Sequence, residues 1–256
     1  MFKAYKYRLY PNKEQQKYFA KCFGCVRFIY NRMLLDKIEY YKETKQKLNN
    51  TPAQYKKEFP WLKEVGSLAL ANAQMNLQAA YNNFFKRPEV GFPKFKSKKN
   101  HNCSYTTNNK SGTIYVTDKH IRLPKIGLIK IKKHRDFAGL IKSATISQKP
   151  SGKYYVSILV DQKDKEKLPM NNNEIGVDLG LKEFCITSNG EMVKNPKYLK
   201  KSEKRLRKLQ KDLSRCKKES KNREKCRVKV AKQHEKIANQ RKDFLHKLSK
   251  RLINEN

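Results

Sequence analysis

The sequence predicts an α+β fold in which a small β-barrel, interrupted by a helical insert, precedes a region that ends in a long helical hairpin. Three patterns predict this fold. Apolar and polar residues alternate in residues 1–11 and in short runs within residues 101–162, which is typical of half-buried strands. Residues 12–100, between them, carry apolar residues at helical spacing. Beyond residue 195, a seven-residue apolar repeat predicts two packed helices.

The first part of the chain reads as a strand followed by helices. The strand ends at Pro11, and Asn12 with Gln15 three residues later predicts a helix cap. Gly24 is expected to break a first short helix before a second one begins. Two short helices around a glycine fit either a helix-turn-helix or an ordinary helical hairpin, and the spacing favours the hairpin. Residues 67–86 predict a further helix.

A basic and aromatic loop follows at residues 91–99, with the sequence Gly-Phe-Pro-Lys-Phe-Lys-Ser-Lys-Lys. Cations hold phosphates and aromatic rings stack on bases, so this composition is typical of a segment that binds a nucleic-acid strand. The alternative interpretation makes the two phenylalanines core anchors. Residues 163–173 are polar and contain a proline, which predicts a linker.

Short strands separated by turns dominate residues 112–161. A Pro-Ser-Gly turn at residues 150–152 predicts a hairpin between the last two strands. Several short strands with tight turns favour closure into a small barrel with the first strand. The predicted strands are Thr113–Val116, His120–Leu123, Leu128–Lys132, Ala144–Gln148 and Tyr154–Val160.

The charge of the chain indicates a polyanionic partner. It has 60 Lys and Arg against 23 Asp and Glu, a net charge of +37, whereas a net charge of roughly 2–8 suits a small domain. Residues 1–100 carry 21 basic and 7 acidic residues, 101–173 carry 14 and 5, and 194–256 carry 24 and 7. Basic residues spread over three segments favour a phosphate-binding surface, with an acidic lipid surface as the weaker alternative.

Cysteine usage and hydropathy predict a cytoplasmic, nucleoid-associated protein with no membrane partner. The six cysteines are scattered, which is not the pattern of a disulfide framework. Cys22 and Cys25 form one Cys-x-x-Cys pair, but a structural zinc normally takes four ligands, so buried thiols are the preferred interpretation. No apolar run approaches the roughly 20 residues that a membrane span needs.

One short acidic segment interrupts the basic chain at residues 174–193, with 1 basic and 4 acidic residues. It predicts strand, turn and strand, with Asp178 in a buried apolar strand between Gly176 and Gly180. A buried carboxylate is costly unless it is paired or binds a metal. Apolar-Gly-x-Asp-x-Gly opens both RNase H-like nucleases and actin-like ATPases, and the following Leu-Lys-Glu favours the nucleases. The alternative is a turn-capping aspartate.

The last region, residues 195–252, predicts an antiparallel helical hairpin with a turn near residues 220–222. Val230, Ile237 and Phe244 recur every seven residues and predict one apolar seam. The remaining face is dense in Lys and Arg. The seam predicts packing alone, whereas the basic face favours a polyanion.

Eight segments resemble, in order, the TnpB (OrfB) family of bacterial insertion sequences, compact relatives of type V CRISPR effector nucleases. Among them are the Gly-Phe-Pro-Lys-Phe-Lys-Ser-Lys loop and the Ile-Gly-Val-Asp-Leu-Gly-Leu-Lys-Glu-Phe segment around Asp178. Together they span nearly the whole chain. The segments are residues 6–11, 24–31, 91–98, 121–127, 175–184, 195–199, 234–241 and 243–249.

The resemblance implies an RNA-guided DNA endonuclease. In the family, the barrel and its helical recognition insert hold a guide RNA and read a short motif in the target DNA. A RuvC (RNase H-like) nuclease domain follows, with three acidic residues around divalent metal, usually Mg²⁺. Asp178 matches the first of these acids and is the expected catalytic and metal-binding residue. The expected nucleic-acid-binding residues, with Tyr7 and Phe95 as stacking faces, are Lys6, Tyr7, Arg8, Arg27, Arg32, Lys94, Phe95, Lys96 and Lys98.

The sequence also departs from the family. The second and third catalytic acids and the zinc ribbon lie, in the family, beyond the point that Asn256 reaches, so residues 174–256 are expected to form a partial RuvC domain without a zinc site. Two-metal cleavage needs several carboxylates, so we expect no cleavage by this chain alone. The alternatives are a nuclease-inactive RNA- or DNA-binding module or repressor, or a decayed gene fragment. A separately encoded C-terminal fragment is a candidate partner beside the guide RNA and the target DNA.

Overall fold

The computed structural model describes residues 1–100, 103–163 and 173–255. The chain divides into two compact units, Met1–Asp164 and Lys165–Asn256. Each unit combines helices with an antiparallel sheet, so the prediction of a mixed α and β fold is confirmed. Nearly all of the predicted linker, residues 163–173, lies outside the described residues.

The first unit contains a seven-stranded sheet in which every neighbouring pair is antiparallel. The strands are β1 Phe2–Tyr10, β2 Cys103–Asn108, β3 Tyr115–Val116, β4 His120–Leu123, β5 Gly127–Lys132, β6 Leu140–Gln148 and β7 Tyr154–Asp161. Their order in the sheet is β2-β6-β7-β1-β5-β4-β3. Barrel closure would require the two edge strands, β2 and β3, to pair, and no such pairing exists among the described residues, so the predicted closed barrel is wrong.

The first helix, α1, is continuous from Lys13 to Thr44. The predicted cap is confirmed, because the Asn12 side chain accepts a hydrogen bond from the Gln15 backbone and the Gln15 side chain accepts one from the Asn12 backbone. The predicted break at Gly24 is wrong, and neither a helix-turn-helix nor a helical hairpin forms within α1. A mid-helix glycine costs only about 1 kcal/mol, and its neighbours Phe23 and Cys25 are buried in the core, which offsets that cost.

Two further helices complete this unit: the single-turn α2, Tyr55–Glu58, and α3, Ser67–Lys86. The bounds of α3 are those that the sequence predicts. Short 3₁₀ segments lie at Pro60–Glu64, Pro88–Val90 and Lys98–Asn100. The helices pack on one face of the sheet, where the Phe19 ring lies 6.1 Å from Tyr105 and 5.7 Å from Tyr154. This face therefore forms the hydrophobic core of the unit.

The second unit contains a three-stranded sheet and two long helices. Its strands are β8 Val177–Leu179, β9 Glu183–Thr187 and β10 Met192–Lys194, in the order β10-β9-β8. Helices α4, Tyr198–Arg215, and α5, Lys221–Glu255, form the predicted hairpin. The buried apolar side chains of this unit, among the described residues, are Cys185, Leu206 and Ile237. Within the described ranges, no helix is long and apolar enough to span a bilayer.

Candidate nucleic-acid interface

The sheet of the first unit presents a polar face opposite its core. Side chains alternate between the two faces of a strand. Along β1, Tyr5, Tyr7 and Leu9 are buried in the core, so Lys6, Arg8 and Tyr10 lie on the opposite face. The alternation of residues along β1 therefore places its cations on the face of the sheet opposite the core.

Strand pairing brings further polar residues to the same face. Arg8 lies opposite Tyr155 on β7 and opposite Lys132 on β5. Tyr10 lies opposite Lys130 in the same ladder. We call the set Lys6, Arg8, Tyr10, Lys130, Lys132 and Tyr155 the platform.

Cations and aromatic rings of the platform lie in direct contact. The Arg8 guanidinium carbon is 5.3 Å from the ring centroid of Tyr155 and 5.4 Å from that of Tyr10. The Lys6 Nζ is 5.1 Å from the Tyr155 ring. Such distances are those of cation–π pairs. Arg8 Nε is also buried without a hydrogen-bond acceptor among the described residues.

The same arrangement continues toward both edges of the sheet. On β4 and β3, the Arg122 guanidinium carbon lies 5.8 Å from the Tyr115 ring, and the two residues face each other in the ladder. Toward β2, the hydroxyls of Thr106 and Thr145 lie 2.8 Å apart. The face therefore carries cations for phosphates, rings for bases and hydroxyls for polar edges. This is the composition of surfaces that bind single-stranded nucleic acid.

The platform is accessible to solvent. Tyr10 is 48% exposed, and Lys6, Lys130 and Lys132 are also exposed. Arg8 and Tyr155 are half-buried because they pack against each other. A base can therefore reach the Tyr10 ring while its phosphate reaches the lysines.

Of the predicted binding residues, Lys6 and Arg8 lie on the platform and Tyr7 does not. Tyr7 is 1% exposed, and its hydroxyl donates a hydrogen bond to the Arg135 carbonyl at 2.9 Å. Burial raises the pKa of Tyr7. The prediction that Tyr7 offers a stacking face therefore does not hold in this structure, because the side-chain alternation of β1 turns its ring into the core.

The two predicted arginines of α1 are half-buried. Arg32 Nε lies 3.1 Å from Asp36 Oδ1, four residues along the helix. The second Asp36 oxygen accepts a hydrogen bond from the Tyr55 hydroxyl at 2.5 Å, and Asn50 donates to that hydroxyl at 2.6 Å. Arg32 therefore belongs to an internal polar network, which reduces the charge that it offers to a phosphate.

The predicted loop is held against α1 by its backbone. Asn31 donates to the Lys96 carbonyl at 2.9 Å and accepts from the Lys96 amide at 2.8 Å. The Lys96 ammonium lies 3.9 Å from the Tyr30 ring centroid. Partial desolvation lowers the pKa of Lys96, although the residue as a whole is exposed. The Lys96 backbone therefore holds the loop against α1, and its side chain lies over the Tyr30 ring.

The two loop phenylalanines are both exposed, and neither belongs to the hydrophobic core, so the core-anchor alternative does not hold. Phe92, 45% exposed, packs on the surface against Tyr81 at 5.6 Å and Phe84 at 5.4 Å between ring centroids. Phe95 is 53% exposed, as a stacking face requires. Lys94 and Lys98 are exposed as well. The loop therefore offers one ring and two cations to a ligand.

Asp178 lies on β8, where all three residues are exposed. The prediction of a buried strand is therefore wrong, because neither face of β8 is covered. β8 is also an edge strand, which pairs only with β9 among the described residues. Its partner in the ladder is Ile186. Of the acidic residues near it in sequence, Glu183 is half-buried and Glu191 is engaged by Arg251 at 2.7 Å.

No three His, Cys, Asp or Glu side chains are grouped to hold a metal ion within residues 1–100, 103–163 and 173–255. A two-metal nuclease site needs several carboxylates around both ions. The surroundings of Asp178 do not fit such a site. No catalytic step through a metal is therefore assigned to the described residues.

Sequence reasoning did not single out four residues of the platform as candidates, namely Tyr10, Lys130, Lys132 and Tyr155. The sequence contains a signal for Tyr10, because Tyr10 follows Arg8 by two residues and Lys6 by four, and side chains at such spacings lie on the same face of a strand. Lys130, Lys132 and Tyr155 reach the platform because β5 and β7 pair with β1. The sequences of these two strands do not indicate that pairing.

The net charge of +37 and the mixture of cations and rings on the sheet are typical of a surface with a polyanionic partner. Residues 157–256 match a family model described as a probable transposase, OrfB_IS605. Residues 1–46 match a model of the associated helix-turn-helix domain, HTH_OrfB_IS605, and in this chain that segment holds β1 and the single helix α1. The chain belongs to the TnpB (OrfB) family of transposase-associated proteins.

Two relatives align with nearly the whole chain. A relative in Streptomyces pristinaespiralis that is named as an RNA-guided DNA endonuclease is 32% identical, over 99% of this chain and 65% of the relative. A relative in Escherichia coli (strain K12) that is named as the RNA-guided DNA endonuclease InsQ is 30% identical, over 96% of this chain and 62% of the relative. The chain thus spans less than two thirds of the length of these relatives.

Among solved structures, the chain aligns with a cryo-EM structure of the Cas12f1-sgRNA-target DNA complex. The alignment covers 98% of this chain and 69% of the other at 12% identity, with a TM-score of 0.34. A TM-score this low does not establish a shared fold.

Proposed function

We propose that this chain is the nucleic-acid-binding part of an RNA-guided DNA endonuclease of the TnpB type, and that it holds RNA on the platform. Two relatives named RNA-guided DNA endonucleases support the proposal. The net charge of +37 supports a polyanionic partner. Guide RNA and target DNA are the proposed partners, and nucleoid association follows from the same charge. The comparisons give no support to a separately encoded C-terminal fragment.

One observation carries this proposal: the Arg8 guanidinium lies within 5.4 Å of the ring centroids of both Tyr10 and Tyr155, with lysines on the neighbouring strand. Lysines and arginines that are only solvated do not need aromatic rings beside them. A surface that binds an unpaired strand needs both, because phosphates and bases alternate along the strand.

Substitutions on β1 test the platform. Lys6→Gln with Arg8→Gln removes two charges from the platform. Lys42→Gln with Lys47→Gln removes the same charge at and just beyond the C-terminal end of α1, a helix about 48 Å long, where both lysines are exposed. We expect the platform pair to weaken binding of single-stranded RNA by at least about tenfold and the control pair to weaken it far less. Equal losses in filter binding would contradict the platform.

A second part of the proposal is that a protein of these 256 residues does not cut DNA. Asp178 is the acidic residue that matches the family's catalytic set, and one carboxylate leaves Mg²⁺ with most of its waters and weakly held. In the complete family nuclease, the metal would take further acids that the described residues do not supply.

A cleavage assay tests this second part. Purified protein with guide RNA, Mg²⁺ and a matched target is expected to leave the DNA intact, and Asp178→Ala is expected to change nothing. Guide-dependent cleavage that disappears in Asp178→Ala would show that other acids complete the site.

A second candidate function is a nuclease-inactive binding module or repressor, because no group of possible metal ligands surrounds Asp178 among the described residues. The two functions differ in what RNA does. A guided protein binds a matched DNA target only with its RNA, whereas a repressor binds its DNA site without RNA. Gel-shift titrations of matched and mismatched DNA, with and without RNA, distinguish them.

A further inference from the structure

Two thiols face each other at the tip of the helical hairpin. Cys216 directly follows α4, and Cys226 lies in the second turn of α5. Their sulfur atoms are 3.6 Å apart, and the Asp212 carbonyl, 3.2 Å from the Cys216 sulfur, is a second acceptor for the Cys216 thiol. Both are free thiols in this structure. Ten residues separate them in sequence, and the turn of the hairpin brings them together.

The pair is accessible to small reagents. Both cysteines are half-buried, whereas Cys22, Cys25 and Cys185 are buried. An open groove of about 690 Å³ adjoins Cys216. A thiol–disulfide exchange needs such access for the incoming disulfide. The groove is lined by Arg215, Cys216, Lys217, Ser220, Lys221 and Asn222.

The structure already holds the two helices together at this point. The Arg223 guanidinium donates to the Leu213 carbonyl at 3.1 Å and to the Cys216 carbonyl at 3.2 Å. These bonds tie the first turn of α5 to the last turn of α4. A covalent link between the sulfurs would therefore reinforce an existing contact, and the sulfurs need to approach by about 1.6 Å to reach bonding distance.

We propose that Cys216 and Cys226 form a reversible disulfide that fixes the tip of the hairpin, by exchange with a low-molecular-weight disulfide. One protein thiolate attacks the small disulfide, whose S–S bond breaks, giving a mixed disulfide and one small thiolate. The second protein thiolate then attacks the mixed disulfide and displaces the other small thiolate. Two protein thiols are oxidised, one small disulfide is reduced to two thiols, and the two protons pass to those thiols.

The surroundings set the rate of this exchange. The hydrogen bond to Cys226 raises the pKa of Cys216, burial and the charge of Asp212 act in the same direction, and the Arg223 cation opposes them. Because the thiolate is the nucleophile, the exchange is slow at neutral pH and faster as the pH rises. In a reducing cytoplasm the pair stays reduced, and disulfide stress oxidises it.

Peptide mapping of the full chain tests the link. Reduced protein is treated with oxidised glutathione at alkaline pH, the remaining thiols are alkylated, and the digest is analysed by mass spectrometry. We expect a linked peptide pair containing Cys216 and Cys226, alkylation at the other four cysteines, and loss of the link on adding dithiothreitol. Cys216→Ser should give a glutathione adduct at Cys226 instead. Cys103→Ser, which changes another half-buried cysteine, should keep the link.

Hydrogen exchange tests the second half of the proposal. Amides of residues 214–222 are expected to exchange about tenfold more slowly after oxidation, because the link suppresses local opening of the tip. The proposal is overturned if glutathione adducts persist on the wild-type protein without a link between Cys216 and Cys226. It is also overturned if the link forms with another cysteine or another chain, or if oxidation leaves the exchange of the tip unchanged.

Discussion

The two units of the chain are both strongly basic, but they arrange their cations differently. In the first unit, Lys6, Arg8 and Arg122 lie against tyrosine rings on one face of a sheet. Residues 194–256 carry 24 Lys and Arg with only two aromatic residues, Tyr198 and Phe244, and these contact each other at 6.4 Å between centroids. The first arrangement can hold bases as well as phosphates, whereas the second can hold phosphates alone.

The cores of the two units differ as well. Helices α1 and α3 bury one continuous apolar cluster against the seven-stranded sheet. In the second unit, the described residues bury few apolar side chains, and Leu179 on the edge strand β8 is 72% exposed. A rigid sheet can hold the rings of the platform in place, whereas the hairpin presents its cations on two long helices. Charge alone therefore does not define how a surface recognises its ligand.

Salt gives the largest expected effect, because both units contribute cations. Raising the salt from 50 to 200 mM should weaken RNA or DNA binding by about 10³-fold. Filter binding or fluorescence anisotropy across this range measures the slope. A flat profile would contradict binding through phosphates in either unit.

Core truncations should separate the stabilities of the two units. Ile29→Ala is expected to cost about 2–5 kcal/mol, because Ile29 lies fully buried in the large core. Ile237→Ala in α5 should cost less than about 2 kcal/mol, since the core around it is smaller.

Urea unfolding measures both changes. Trp61, the one tryptophan of the chain, packs against Phe28 in the first unit and reports its unfolding, while circular dichroism reports all helices. The Trp61 transition should shift for Ile29→Ala alone. Equal shifts in both variants would show that the two cores unfold together.

Ring substitutions should sharpen the contrast between the two basic surfaces. Tyr10→Leu and Tyr155→Leu should each weaken single-strand binding by about tenfold and leave the salt slope unchanged, because they remove stacking. Lys201→Gln with Lys208→Gln, two exposed positions on α4, should lower the salt slope by about 2 and weaken single and double strands alike.

Anisotropy titrations with a single strand and a duplex of the same sequence compare these variants. If the tyrosine variants weaken binding of the single strand and of the duplex equally and also reduce the salt slope, the platform and the helical hairpin do not differ in what they bind.

The smallest effects are expected for the arginines and the loop. Arg27→Gln with Lys94→Gln should lower the salt slope by about 1 for each phosphate that the protein no longer neutralises. Arg32→Gln should leave the slope unchanged, because its charge is held by Asp36 at 3.1 Å. It should instead lower stability by about 1 kcal/mol. A salt slope that falls in Arg32→Gln would place this arginine on the ligand.

Local signals predicted the local structure well. The cap at Asn12, the bounds of α3 and the strand His120–Leu123 are confirmed, because caps, apolar spacing and turns act over a few residues. The predicted helix break at Gly24 was wrong because helix propensity is a weak local preference, and burial of the neighbouring residues outweighed it. The predicted stacking role of Tyr7 rested on its residue type, whereas the alternation of side chains along β1 places Tyr7 in the core.

The two cysteine pairs illustrate the same limit. Cys22 and Cys25 form the motif that is visible in the sequence, yet both are buried, and burial raises their pKa to about 12 and about 11. The buried-thiol interpretation is confirmed for them. Cys216 and Cys226 form no motif, and a turn between two helices places their thiols side by side.

The amino-acid sequence alone established the family, the positive charge, the helical and strand periodicities and the alternation that separates Lys6, Arg8 and Tyr10 from the core of β1. These properties depend on residues that are near each other along the chain. The three-dimensional structure was needed to establish that β7 and β5 flank β1, that the sheet stays open, and that Asp178 lies on an exposed edge. Pairing between distant strands depends on the packing of the whole core, and no local stretch of sequence encodes which strand will lie beside it.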